Sequence, residues 1–235
     1  MQAKTVLLLA FAQFAVTSAA VPMFAQTGAK QYPAMAPLNQ YLMPEDAEIA
    51  LARTAAPKAI SDKADVMVLK RDGYVTAAKG TNGFLCIVER SWANSSGSPE
   101  FWNPKLRSPN CFNAPAARTF VQIYLMKTRL VLEGKSKTQV AQATASALDS
   151  KELTPLAPNS MCYMMSKEQY LNDEGKAWHP HLMFFVSGDA PAKNWGADLP
   201  GSPIIAASDP EERVTILMVV LGHWSDGTPA AAMEG

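Results

Sequence analysis

The stretch DVMVLKRDGYVTAAKGTNGFLCIVE, residues 65–89, carries the reading on which the fold class turns. Asp65 to Leu69 is rich in Val and Leu, Asp72-Gly73 suits a tight hairpin turn, and Tyr74 to Ala78 reads as the returning strand. A second glycine-bearing turn, Gly80-Thr81-Asn82-Gly83, leads into Phe84 to Glu89, a run apolar on both faces and therefore central in a sheet. The economical pairing is a three-strand antiparallel meander.

Working outward, Pro44 suits the first position of a helix that Pro57 stops. Glu45, Asp46 and Glu48 sit at its positive end and Arg53 near its negative end. On the other side, residues 91–113 interleave Ser, Asn, Pro and Gly with Trp92, Phe101, Trp102 and Phe112, which reads as a long loop. Asn113 can cap a helix from about Ala114 to Glu133, closed by Gly134, and Ser136 with Gln139 forms a capping box for a second helix to about Leu148. Ser160 to Met165, His181 to Ser187 and Val214 to Leu221 read as three further strands, with another long loop over 188–213. The predicted fold class is α+β: a largely antiparallel sheet of about five to six strands, with an N-terminal helix and an αα-hairpin packed on one face.

The ends of the chain read differently. Lys4, the apolar run from Val6 to Val16 and the small residues Ser18, Ala19, Ala20 and Ala25 have the layout of a secretory signal peptide over residues 1–25. Ser18 and Ala20 fit cleavage after Ala20, whereas cleavage after Ala25 needs Met23 to be tolerated at the third position back; an uncleaved membrane anchor is weakened by Gln13, Thr17, Ser18 and Pro22. Residues 26–43, rich in Pro, Gln and Ala, read as a linker or draped arm, 44–228 as a single α+β domain, and 229–235 as a flexible tail. The expected location is periplasmic or extracellular, with no transmembrane segment once the leader is removed.

Of the charges, 21 are basic and 21 acidic, so no broad electrostatic grip on nucleic acid is expected. Export would expose Cys86, Cys111 and Cys162 to an oxidising compartment, where one disulfide and one leftover thiol is the natural arithmetic. All three pairings remain open, and Cys86, inside an apolar run, also reads as a plain buried hydrophobe.

No assembled catalytic motif is present. Gly134-Lys135-Ser136 has the look of a phosphate-loop tail, but Arg129 stands where the first glycine should be and a helix precedes it. Trp178-His179-Pro180-His181 places two imidazoles on one side of an extended chain, and His223 follows a later strand. If those strands pair, His179, His181 and His223 could converge on zinc or another divalent metal, which makes a metal-assisted hydrolase the alternative function. Otherwise no cofactor is expected. Glu89 and Glu100 are acid–base candidates that the sequence does not rank. Trp92, Trp102, Trp178 and Trp195, with His181, are the candidate ligand-binding residues, since tryptophans around a cleft stack on small molecules or partners.

The runs Gly80 to Phe84, Glu89 to Trp92 and Phe101 to Lys105 resemble those of a group of exported bacterial proteins with no assigned function. Met161 to Ser166, Pro180 to Phe185 and Trp224 to Gly227 share the likeness. It implies a bacterial, exported origin and carries no activity. The resulting expectation is a non-catalytic domain that binds a small molecule or an envelope protein.

Overall fold

The computed structural model describes residues 32–190 and 192–231. The expected leader, the first residues of the arm and residues 232–235 lie outside that set. Eight strands form one sheet in the order β2-β1-β3-β4-β5-β6-β8-β7. In chain order they are β1 (Asp65–Lys70), β2 (Gly73–Ala78), β3 (Leu85–Glu89), β4 (Ser108–Phe112), β5 (Met161–Met164), β6 (His181–Ser187), β7 (Ile204–Asp209) and β8 (Val214–Val220). The helices are α1 (Glu45–Arg53), α2 (Lys58–Ser61), α3 (Ala114–Arg118), α4 (Phe120–Leu132) and α5 (Lys137–Asp149). The class is α+β as predicted, but the sheet is larger than five to six strands and is mixed.

The meander is corrected at β3. β1 and β2 form the expected hairpin, yet β3 passes to the far side of β1 and pairs with it in parallel, Val66 opposite Cys86. No crossover helix is needed, because β2 has already brought the chain back to the end where β1 begins. The connection presses against residues 63–65: Thr81 N–H donates to the Lys63 carbonyl (2.8 Å) and Gly80 N–H to Asp65 Oδ1 (2.7 Å). A Cβ on Gly80 would lie 2.3 Å from backbone atoms of Lys63 and Ala64, so only glycine fits.

Two strands lie where loops were expected. β4 reads SPNCF and contains Pro109, whose missing donor argues against a central strand. β5 pairs only with Cys111 and Phe112, so Pro109, opposite Val88, has a single neighbouring strand. β7 is the edge partner of β8. The helix predicted from Ala114 is broken at Thr119 (φ −126°, ψ −70°), whose hydroxyl donates to the Pro115 carbonyl. The Ser136 capping box forms as expected.

The helices are divided between the two sheet faces rather than gathered on one. Leu51 and Ala52 of α1 pack with Val66, Val68, Cys86, Val88 and Cys111. On the opposite face, Val121, Tyr124 and Val131 of α4 pack with Leu69, Ile87, Phe112, Cys162 and Phe185. Cys86 and Cys111 stand directly opposite one another, Cα atoms 4.0 Å apart, with their sulfurs at disulfide distance. Cys162 is the free, buried thiol, on the other face. The arm is draped on the core: Tyr41 is fully buried and its hydroxyl donates to the Trp102 carbonyl (2.9 Å). At the other end, Ala230 N–H donates to the Gly222 carbonyl, tying the start of the tail to the strand end. Among the described residues, no helix is long and apolar enough to cross a membrane.

Candidate functional site

Period-two alternation puts one set of side chains on the sheet face beneath α4, where they line a cavity of about 480 Å³. β3 contributes Glu89; β4 Ser108, Asn110 and Phe112; β5 Met164; β6 His181, Met183 and Phe185; and β8 Ile216 and Met218. The register pairs Met183 with Met218 and Phe185 with Ile216, so these side chains stand side by side. Phe120 and Tyr124 of α4 line it from above, and Leu171 and Trp178 come from the loop before β6. The Phe120 and Phe185 rings stack at 4.0 Å.

Set into these apolar walls is a cluster of buried polar groups. Asn110 Nδ2 donates to Glu89 Oε2 (2.8 Å) and to Ser108 Oγ (3.1 Å), while the Cys162 thiol donates to Asn110 Oδ1 (3.7 Å). Lys127, projecting from α4, pairs with Glu212 from the turn between β7 and β8 (2.8 Å). Its other hydrogens go to the carbonyls of Ala93 (3.2 Å) and Asn94 (3.1 Å). The same turn is held by Glu211, which accepts from the Ser96 amide (2.9 Å) and hydroxyl (2.6 Å).

Burial pushes the Glu89 carboxyl up to about 8, with the nearby Glu212 adding to the shift and Lys127 opposing it. Burial raises Glu212 as well, against the pull of Lys127. The Cys162 thiol is pushed far up by burial and by Glu89, so it is no nucleophile at neutral pH. Burial lowers His181, whose Nδ1–H donates to the His179 carbonyl (2.7 Å). That bond leaves Nε2 of the neutral ring as an acceptor.

Beside the cavity a second polar chain fixes α4 to the sheet. Arg90 N–H donates to the Tyr124 hydroxyl (2.7 Å), which bonds Tyr74 (2.8 Å), and Tyr74 in turn donates to the Val88 carbonyl (2.7 Å). The Arg90 guanidinium pairs with Glu48 of α1 (2.8 Å), both side chains fully buried. These groups brace the frame, and of them Tyr124 alone also lines the cavity.

Of the residues singled out by sequence, Glu89, Trp178 and His181 line the cavity, the Trp178 and His181 rings meeting edge-on at 4.7 Å. Trp92 and Trp102 do not. Trp92 is 0% exposed, its indole N–H donating to Thr128 Oγ1 (2.8 Å), and Trp102 packs edge-on against Phe101. Both pin the 91–107 loop to the core. Trp195 is 49% exposed, outside the cavity. His179 is half-buried, and exposed His223 bridges to Pro229 beyond β8. Among the described residues, no three His, Cys, Asp or Glu side chains gather in a group that could hold a metal ion.

Asn110, Lys127 and Glu212 were not singled out by sequence. Lys127 had a readable signal: it stands on the apolar stripe of α4, at helical spacing from Tyr124 and Val131. A charge at such a position must find a partner inside. No family model, curated protein or solved structure matches this chain.

Proposed function

We propose that this chain is an exported, non-catalytic binding domain for a small amphipathic molecule, held in the cavity between the sheet and α4. The carrying observation is the wall chemistry: a 480 Å³ space lined by Phe, Met, Leu and Ile, with the buried polar groups Glu89, Asn110 and Ser108 among them. Apolar walls with few placed polar groups are the usual composition of a small-molecule site. The Cys86–Cys111 pair agrees with an oxidising compartment outside the cytoplasm.

The test is titration of the full chain with 4-phenyl-1-butanol, followed by NMR of the methionine methyls. Saturable shifts centred on Met164, Met183 and Met218 are expected, because those side chains line the cavity. The reading fails if the shifts do not saturate, or fall on methionines elsewhere.

A further inference from the structure

We infer that the ligand's polar head is a cationic amine, seated on the free oxygen of the Glu89 carboxylate while its apolar body fills the cavity. This rests on the binding reading above. Two carboxyl groups, Glu89 and Glu212, are buried near a single ammonium, Lys127. The three hydrogens of Lys127 match its three acceptors, Glu212 and the carbonyls of Ala93 and Asn94, so it has none left for Glu89. Among the described residues Glu89 makes no ion pair. Its only hydrogen-bond donor is Asn110, on Oε2, so Oε1 has no partner there. The residue is 8% exposed and lines the cavity. A buried carboxylate in that position is one positive charge short.

The other groups around Glu89 do not supply that charge. Asp209 comes from the end of β7, Glu212 from the β7–β8 turn, Tyr124 from α4, Cys162 from β5 and neutral His181 from β6. Lys127 is already paired. Without ligand, Glu89 therefore keeps its proton at neutral pH. A bound ammonium stabilises the carboxylate, so the Glu89 proton leaves to the buffer while the amine keeps its own. Phe112, Phe120 and Tyr124 supply aromatic surface against which the apolar body packs.

Three probes of one shape separate the possibilities: 4-phenylbutylamine, 4-phenyl-1-butanol and 4-phenylbutyrate. The amine should bind at least about tenfold more tightly than the alcohol, as a charge-assisted bond to a buried group implies, and the carboxylate most weakly. Calorimetry at neutral pH in phosphate and in Tris should report about one proton released per amine and none per alcohol. Glu89→Gln should bring the amine down to the affinity of the alcohol and abolish the proton release. The proton count on the unaltered chain stands alone if that variant does not fold. Equal binding of amine and alcohol, or amine binding without proton release, overturns the amine assignment and leaves the cavity reading intact. Failure of all three probes overturns both.

Discussion

A carboxyl such as Glu89 is a debt the fold carries. The folded chain holds its proton up to about pH 8, whereas the ordinary value is 4.5. Between those limits the native state binds more protons than the unfolded one, so stability falls as pH rises, by up to about 1.4 kcal/mol for each pH unit. Glu212 is shifted in the same direction and adds to the slope. Glu89→Gln keeps an acceptor for Asn110 but removes the ionisation. Its stability relative to the parent should therefore grow steadily from about pH 5 to about pH 8, read from urea unfolding across that range. A difference that stays level with pH would mean that Glu89 does not hold its proton. At this scale the sequence was half legible. Glu89 closes an apolar strand and reads as an acid, but its hydrogen-bond partner comes from β4 and the charges that act on it from α4 and the β7–β8 turn, and no local pattern joins them.

At the scale of elements, the position most sensitive to a single methyl is Gly80. The connection from β2 to β3 skips over the start of β1, and its backbone lies so close that a Cβ would stand 2.5 Å or less from atoms of three consecutive residues, Lys63 to Asp65. All three atoms are backbone, so nothing can swing aside. Gly80→Ala should lose stability at or above the upper end of the ~1–3 kcal/mol range for overpacking. Gly97→Ala, where a Cβ meets nothing, serves as the control and should be near neutral. Equal urea midpoints for the two variants would remove the steric account. The same crossing explains why the sheet order eluded the sequence: the strands and turns of residues 65–89 read correctly, but hairpin chemistry does not say on which side of β1 the third strand lands. β4 was hidden for another reason. Its Pro109 is tolerated only because β5 is too short to reach it, a fact about residues some fifty positions away. α1 and α5 were legible because their signals are local, as the capping box of α5 shows, whereas α2 and the break at Thr119 were not read.

For the molecule as a whole, the Cys86–Cys111 pair staples β3 to β4 in the middle of the eight-stranded order. It closes a segment of 25 residues that includes Trp92 and Trp102, so the chain-entropy estimate of its contribution is about 3.5 kcal/mol. The face it occupies matters as much as the energy. Cys86 and Cys111 point toward α1, whereas Cys162 points toward α4 and the cavity. The sheet therefore separates the free thiol from the pair and blocks exchange between them. A thiol reagent should find nothing reactive in the folded chain, because Cys162 is buried, and one thiol per chain after unfolding without reductant. Three thiols in the unfolded, unreduced chain would show that the pair had not formed. The double variant Cys86→Ala with Cys111→Ala should lower the unfolding free energy by about 2–4 kcal/mol. It should nevertheless leave 4-phenyl-1-butanol binding intact, since every sheet residue lining the cavity lies on the other face. Loss of binding together with the staple would mean that the cavity depends on the far side of the sheet, and that its walls are less preformed than their packing implies.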